Sequence, residues 1–299
     1  MKNMKYLLNY IEKNIIKRIE KDYDYLHVNV GYEGSGKSTL SIIQAIAYLL
    51  ARGYVIDIKD EIIYNEETKH NITFKDFVNK HIIFTKKEFL KSIKNLTSKS
   101  PVIVDEGISV FYTADTLTEE LKEVIKTLTQ IRMKNYFIIV NASNFFYLHQ
   151  DIRYRRALSV CHIKKRGLFA FYDQKKINKI KRNDEGLIYF DTLPNFFDTF
   201  DNSLIPMSLW NYYLKRKNDY MFEKFETNEK VIDILENNYT LKDLSDYYQI
   251  NYHIIRKKVL ELLKNEKINK KDIIRYNKKI YLTEKVKKEL EKMLLKNTY

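Results

Sequence analysis

The chain has 299 residues, 44% of them hydrophobic, and a net charge of +14, which predicts a folded protein with one large or two medium domains. No run of about 18 apolar residues occurs, so we expect no membrane-spanning helix, and the charged N-terminus lacks the apolar core of a signal peptide. The single cysteine, Cys161, excludes an internal disulfide and a four-cysteine zinc site. We therefore expect a soluble, cytoplasmic protein.

Positive charge is concentrated in two blocks of the chain. Residues 251–299 hold 15 Lys/Arg and 6 Asp/Glu, and residues 153–182 hold 11 Lys/Arg and one acid, so the remainder is net acidic. Such blocks are typical of proteins that bind a polyanion, and DNA is the expected partner. An AT-rich genome would also raise the lysine content, but it would not produce an acidic remainder.

The elements predicted in chain order alternate between helices and apolar strands. Apolar residues at a helical period predict an N-terminal helix within residues 1–22. The next segment, 23–192, is predicted to hold strands at 25–30, 54–58, 81–85, 101–107, 136–143, 158–163 and 167–173, with helices at 38–53, 86–96 and 117–133. This alternation predicts an α/β fold with a central, mostly parallel sheet. Residues 193–226 are interpreted as a connector that packs on this domain, and residues 227–299 as a small, mainly helical domain.

Three of the seven glycines fall in the stretch "GYEGSGKS", residues 31–38. It matches G-x-x-x-x-G-K-[ST], the P-loop or Walker A pattern, with a predicted strand before it and a helix after it. Backbone N–H groups and the helix N-terminus would hold phosphates, Lys37 would reach the β- and γ-phosphates, and Ser38 would bind Mg²⁺. The predicted ATP-binding residues are Gly31, Glu33, Gly34, Ser35, Gly36, Lys37, Ser38 and Thr39.

Two acids end the apolar strand "VIVDEG". Asp105 is predicted to hold Mg²⁺ through its water shell, and Glu106 to polarise the attacking water. This adjacent pair favours ATP hydrolysis over phosphoryl transfer to a small molecule. Asn141, at the end of the next strand, is predicted to contact the γ-phosphate or the water, although a loop amide that bonds local backbone explains it nearly as well.

The P-loop, "VIVDEG", "LTQIRMKN", "YFIIVNASNFFYLHQDIRYRR" and the hairpin "CHIKKRGLFAFYD" resemble P-loop ATPases of the additional-strand, catalytic-Glu class. The resemblance is to zonular-occludens-toxin-like and FtsK/HerA-type ATPases of viruses and mobile elements, over about residues 25–190. It implies ATP, Mg²⁺, and a homo-oligomeric ring, often a hexamer, that moves or packages double-stranded DNA. In such a ring a neighbouring subunit supplies an arginine to the site. The candidates are Arg153 and Arg156, with Arg155 and Arg132 as rivals, and a plain basic surface is the alternative.

The C-terminal block is similar to a winged helix-turn-helix domain. The segment "TLKDLSDYYQINYHIIRKKVLELLKNE" has the proportions of a support helix, a turn and a recognition helix, and "KINKKDIIRYNKKIYLT" would be the wing. The alternative is a helical interaction or oligomerisation bundle with a solvated basic face. The residues predicted to contact DNA are His253, Arg256, Lys257, Lys258, Lys278 and Lys279.

Two functions fit these features. The first is a DNA-translocating or genome-packaging ATPase. The second is a non-motor, ATP-dependent DNA-binding switch, such as a partition, helicase-loading or regulatory protein. DNA-stimulated turnover distinguishes the two, because a motor should hydrolyse ATP faster with DNA present.

Overall fold

The computed structural model describes residues 4–115, 118–183, 188–236, 238–248, 250–276 and 279–295. The chain divides into two compact units, residues 1–217 and 218–299. Within the described ranges, no helix is both long enough and apolar enough to cross a bilayer.

A seven-stranded sheet forms the centre of the first unit. Its strands are β1 Tyr25–Val30, β5 Ile82–Ile83, β6 Pro101–Val104, β7 Phe137–Ala142, β8 Ala157–Lys165, β9 Leu168–Asp173 and β12 Phe196–Thr199. Their order is β12-β9-β8-β1-β7-β6-β5, with β9 and β12 antiparallel to their neighbours and the other strands parallel. Continuous apolar runs such as β6 are buried throughout, as expected for strands covered on both faces. The predicted α/β fold with a mostly parallel sheet is confirmed.

Helices cover this sheet. They are α1 Lys5–Tyr10, α2 Lys17–Glu20, α3 Lys37–Ala51, α4 Phe74–His81, α5 Lys86–Asn95, α6 Gly107–Phe111, α7 Glu119–Gln130 and α8 Gln174–Ile177. A π-helical stretch, Ile11–Ile16, joins α1 to α2. Helices α4 and α5 begin after Thr73 and Thr85, whose hydroxyls each accept a hydrogen bond from a backbone N–H in the first turn.

Two regions differ from the sequence prediction. The stretch "YVIDI" does form a strand, β2 Val55–Asp57, but it joins β3 Ile62–Asn65 and β4 His70–Thr73 in a separate antiparallel sheet. Residues 193–226, interpreted as a connector, contain β12 at the edge of the central sheet and the start of α9, Met207–Glu236. Aromatic stacking explains the edge strand, because the rings of Phe196 and Phe171 lie 4.6 Å apart. A further hairpin pairs β10 Ile180–Arg182 with β11 Ile188–Phe190.

The second unit combines helices with a small sheet. Its elements are β13 Tyr239–Thr240, α10 Leu241–Tyr248, α11 Tyr252–Lys264, β14 Ile273–Tyr276, β15 Lys279–Leu282 and α12 Glu284–Leu295. The sheet order is β13-β15-β14, all antiparallel. The core residues are Leu241, Leu244, Ile255, Val259, Leu262, Ile268, Leu282, Val286 and Leu290.

Candidate nucleotide site

The loop between β1 and α3 has a backbone that glycine alone accommodates. Gly34 and Gly36 take positive φ angles of 72° and 99°, which other residues rarely adopt. A side chain at Gly31 would begin 2.9 Å from Ser35 Oγ and 3.1 Å from Ile163 Cβ. The three glycines that distinguished this stretch in the sequence therefore each serve the shape of the loop.

The helix after the loop presents its N-terminus without a side-chain cap. Helix α3 begins at Lys37, and Gly36 at the N-cap position contributes no side chain to its first N–H groups. Ser35 Oγ is buried and has no hydrogen-bond partner among the described residues. Glu33 is exposed and Thr39 is buried. Uncapped N–H groups and the helix dipole make this end of α3 suitable for an anion.

Lys37 folds back over the loop. Its Nζ donates to the carbonyl oxygens of Gly31 and Tyr32, both at 2.8 Å. Burial lowers the pKa of the ammonium, and the nearby carboxylates of Glu106 and Glu33 act in the opposite direction. The positive charge thus lies at the loop, where phosphates would compete with the two carbonyls for it.

Asp105 follows β6 and is held from one side by Asn141. The side chain of Asp105 is 2% exposed, and its Oδ1 accepts a hydrogen bond of 2.9 Å from Asn141 Nδ2. Asn141 Oδ1 in turn accepts from Ser41 Oγ and from Asn29 Nδ2. Since both ends of its amide are engaged, Asn141 orients Asp105 in this structure.

A buried neutral network continues beneath Asn141. Asn29 Nδ2 also donates to Ser41 and Gln44, at 2.9 Å each, and Asn29 Oδ1 lies 2.9 Å from Nε2 of His27. Nδ1 of His27 lies 2.7 Å from Ser159 Oγ. Burial lowers the pKa of His27 to about 4, so the imidazole is neutral near pH 7. The network connects helix α3 to strands β1, β7 and β8.

Glu106 lies at the start of α6, where this helix packs closely on the end of β7. It occupies the N-cap position, and a side chain on the next residue, Gly107, would begin 2.5 Å from the carbonyl oxygen of Asn141. Glycine at 107 therefore lets α6 pack directly on the end of β7. The carboxylate of Glu106 opposes the lowering of the Lys37 pKa that burial causes.

A family model described as "Zonular occludens toxin (Zot)" matches residues 25–192, more than half of the chain. The chain belongs to the Zot family. No curated protein matches the chain. The matched residues include the whole P-loop, Asp105, Glu106 and Asn141, and they exclude α9 and the second unit.

Three of the solved structures that are similar to this chain are the following. The genome packaging NTPase B204 from Sulfolobus turreted icosahedral virus 2 is 18% identical, with 57% of this chain and 97% of that chain covered and a TM-score of 0.35. The N-terminal domain of zonular occludens toxin from Neisseria meningitidis is 16% identical, with 58% and 96% covered and a TM-score of 0.31. The Thermotoga maritima RuvB Holliday junction branch migration motor is 13% identical, with 95% and 94% covered and a TM-score of 0.30. These identities and TM-scores carry no argument about substrate or partner.

Helix α9, beyond the Zot-family match, adds two residues that the sequence did not indicate. Tyr213 Oη donates to Asp105 Oδ2 at 3.0 Å, and Lys217 Nζ lies 3.0 Å from the same oxygen. Lys217 Nζ is also 3.3 Å from Ser38 Oγ. Burial raises the pKa of the fully enclosed Tyr213 phenol. Spacing on α9 could have grouped Tyr213 with Lys217, but no local pattern connects them to Asp105.

The oxygens of Ser38 and Asp105 suit Mg²⁺. Hydroxyl and carboxylate oxygens are the hard ligands this ion takes from proteins. In the structure the two oxygens already share one cation, the Lys217 ammonium, so they converge on a common point. The predicted metal pair is therefore brought together by the fold, and its donor set fits the ion.

The candidate arginines lie near the amino ends of the parallel strands, whereas the P-loop lies at their carboxyl ends. The segment Asp151–Arg156 directly precedes β8, which runs parallel to β1, whereas the P-loop follows the end of β1. Arg156 pairs with Asp24 at 3.3 Å and is 10% exposed, and it also donates to the carbonyl of Leu128. Arg153, Arg155 and Arg156 therefore lie away from the P-loop of the same chain.

The other arginines differ in how firmly they are held. Arg153 donates to the Leu148 carbonyl at 2.8 Å and lies over the rings of Phe146 and Tyr154. Arg155 pairs with Asp151 at 2.9 Å but remains 79% exposed. The side chain of Arg132 lies outside the described part of the structure.

The predicted DNA-binding residues of α11 do not share one face. His253, Arg256 and Lys257 are exposed, whereas Lys258 is half-buried and pairs with Glu261 at 3.3 Å. Two residues apart on a helix correspond to about 200° of rotation, so Arg256 and Lys258 point to opposite flanks. Lys279 begins β15, but its side chain, like the whole of Lys278, lies outside the described residues.

Proposed function

We propose that this Zot-family chain is an ATP-hydrolysing DNA-translocating or genome-packaging ATPase of a virus or mobile element. The observation that carries the proposal is the convergence of Ser38 and Asp105 on one cation position beside an uncapped helix N-terminus, with Glu106 adjacent in sequence. A phosphate cradle, a pair of hard oxygen ligands and a carboxylate base are the parts that nucleotide hydrolysis requires.

Nucleotide binding would rearrange Lys37. The N–H groups of the loop and of the first turn of α3 would hold the phosphate oxygens. Lys37 would release the carbonyls of Gly31 and Tyr32 and turn its ammonium to the β- and γ-phosphates. The triphosphate offers this ammonium more negative charge than two neutral carbonyls, so the exchange is favourable.

Hydrolysis would then depend on the two acids. Bound Mg²⁺, held by Ser38 and Asp105, would supply positive charge for the phosphate oxygens. Glu106 would accept the proton of the attacking water. Asn141 supports this chemistry as a positioning residue, because its amide fixes the direction of the Asp105 carboxylate.

A cavity next to the loop suits the nucleoside. This cavity beside the P-loop measures about 310 Å³, and a larger one of about 530 Å³ lies at the amino ends of the parallel strands, away from the P-loop. This nearer cavity begins at the first turn of α3, where the α-phosphate would end, and Phe200 offers an aromatic ring to a base. Its lining residues are Gly36, Thr39, Arg166, Gly167, Phe200, Asp201 and Asn202.

DNA binding is proposed for the second unit, and completion of the nucleotide site is proposed to require a ring of subunits. Residues 227–299 would form a winged-helix-like domain, and the order of helix, helix and β-hairpin in this unit supports that assignment. His253, Arg256 and Lys257, which are exposed on α11, would contact DNA there. A neighbouring subunit in a homo-oligomeric ring, such as a hexamer, would bring Arg153 to the nucleotide, since Arg156 is 10% exposed and paired with Asp24.

The experiment is a comparison of ATP turnover with no DNA, single-stranded DNA and duplexes of increasing length, with the oligomer mass measured alongside. A motor should be stimulated by DNA in a length-dependent manner and should assemble. Slow, DNA-independent turnover with tight binding to one DNA sequence would favour the switch. Loss of ATP binding in Lys37→Ala is the control that assigns turnover to this site.

A further inference from the structure

Lys217 occupies the position that joins the two metal-ligand side chains. Its Nζ lies 3.0 Å from Asp105 Oδ2, 3.3 Å from Ser38 Oγ and 2.9 Å from Tyr213 Oη. The carboxylate it pairs with is almost completely buried, at 2% exposure. A buried carboxylate requires a counter-charge, and in this structure Lys217 supplies it.

We propose that Lys217 is a tethered cation that competes with Mg²⁺ for Ser38 and Asp105, and that it leaves the site when Mg²⁺–nucleotide binds. The inference rests on the proposed nucleotide function of that site. An ammonium and a divalent ion repel each other over a few ångströms, and Mg²⁺ bound to Ser38, with Asp105 holding it directly or through its water shell, would need the space that Lys217 Nζ fills. Only one of them can therefore be in contact with the Ser38–Asp105 pair.

The exchange is a movement of the Lys217 side chain, because α9 itself is anchored. Arg216 pairs with Glu88 at 2.9 Å and donates to the carbonyls of Val78 and Ile82. One turn earlier, the hydroxyl of Tyr212 donates to Glu61 at 3.0 Å. Lys217, by contrast, is 39% exposed, so its flexible chain has an open route to solvent.

Tyr213 remains in place during this exchange. It is 1% exposed, its ring packs against Trp210 at 5.0 Å, and its hydroxyl keeps one hydrogen bond to Asp105. The carboxylate thus stays oriented by Tyr213 and Asn141 whichever cation is bound. Without metal, the Asp105 carboxylate therefore keeps the orientation that suits the ion. The apparent affinity for metal is weaker because Lys217 competes with it.

The test measures affinity for a fluorescent ATP analogue with and without Mg²⁺, and affinity for Mn²⁺ alone by its paramagnetic signal. Lys217→Met keeps the length of the side chain and removes its charge. We expect about tenfold tighter Mg²⁺-dependent nucleotide binding and tighter Mn²⁺ binding, because the apparent affinity is reduced by the fraction of sites that Lys217 blocks. Metal-free nucleotide affinity should not change. Lys217→Arg, which retains the charge, should resemble the parent.

Two further variants make the result decisive. Lys215→Met removes an exposed lysine from the same helix and should change none of these affinities. Lys217→Gln repeats the loss of charge with a side chain that can still bond to Asp105, in case Lys217→Met folds poorly. Weaker metal-free binding in both neutral variants would overturn the proposal, since Lys217 would then hold phosphate. Unchanged affinities in both would also overturn it, leaving a purely structural ion pair. Undiminished nucleotide binding in Lys37→Ala would refute the proposed function separately, and the Mn²⁺ measurement alone would still decide the competition.

Discussion

The carboxyl ends and the amino ends of the parallel strands form two opposite edges of the seven-stranded sheet, and these two edges use polar groups in different ways. At the carboxyl ends of β1, β6 and β7, side chains from distant parts of the chain converge on one carboxylate, Asp105, above a neutral hydrogen-bonded network. At the opposite edge, charges are matched in separate pairs, Arg156 with Asp24 and Arg155 with Asp151. Convergence of side chains on a shared centre, rather than the number of charges, therefore distinguishes a site that can bind a ligand and react with it.

The strongest test of this comparison is Glu106→Gln at the carboxyl-end edge. The amide keeps the shape of the side chain but cannot accept the proton from water, so we expect ATP to bind normally while turnover falls about 10²–10⁴-fold. Single-turnover hydrolysis and equilibrium binding of ATP measure the two effects. Turnover like that of the parent would show that Glu106 is not the base.

The opposite edge can be tested with Arg153→Ala. If this arginine completes the site of a neighbouring subunit, turnover should fall about 10³-fold while ATP affinity stays nearly intact. Mixing this protein with Glu106→Gln should restore part of the activity, because some interfaces then combine two intact halves.

Arg155→Ala is the matched control on the same segment, since its exposed pair with Asp151 contributes little. Arg156→Ala should instead lower the thermal midpoint, because it leaves Asp24 without its half-buried partner. A monomeric protein with full turnover in all three variants would remove the ring from the proposal.

Acid should weaken the neutral network under the carboxyl-end edge. The pKa of His27 is lowered from 6.5 to about 4 by burial. The unfolded chain therefore binds a proton that the folded chain refuses between these values, and stability falls as the pH is lowered through this window. For His27 alone, the loss by pH 4 is about 3 kcal/mol.

Urea unfolding at pH 7, 5.5 and 4 measures this loss. In His27→Gln the decline should be smaller, with the remainder due to His81 and His162, whose pKa values burial also lowers to about 4. An unchanged decline in His27→Gln would show that the proton is taken up elsewhere.

Sequence patterns predicted the residues at the carboxyl ends of the parallel strands better than their contacts, for a physical reason. The Walker pattern fixes backbone conformation locally, so the loop, Lys37 and Ser38 could be located from residues 31–38 alone. Asp105 and Asn141 could be placed because parallel strands bring their carboxyl ends together. Which partner the Asn141 amide would choose could not be predicted, since it depends on Ser41 and Asn29 from other elements.

The segment interpreted as a connector was harder to predict. Residues 193–226 have aromatic side chains without a clear period, because they are divided between β12, at a sheet edge, and the start of α9. The contact of Lys217 with Asp105 joins residues 112 positions apart. No local preference encodes such a contact, and it follows only from the packing of α9.

The smallest expected effect concerns the second unit, where cations are spread over a helix instead of converging. Replacing Arg256 and Lys257 together with Ala in the full chain should weaken duplex binding and reduce the slope of log K against log salt by about 2, with 0.9 for each phosphate contact. Lys258→Ala should change the slope less, because Lys258 is already paired with Glu261. Fluorescence anisotropy at several salt concentrations measures both. Equal effects of the two changes would contradict the assignment of faces on α11.

The buried Cys161 permits site-specific labelling of a cysteine introduced elsewhere in the chain. It is the only cysteine of the chain, it is fully buried in β8, and burial raises its thiol pKa well above the usual value. A thiol that is both enclosed and protonated reacts slowly with maleimides and methanethiosulfonates. A single cysteine introduced at an exposed position such as Lys215 could therefore be labelled in the otherwise native background. A nitroxide or dye at that position would report in real time whether Lys217 leaves Ser38 and Asp105 as nucleotide arrives.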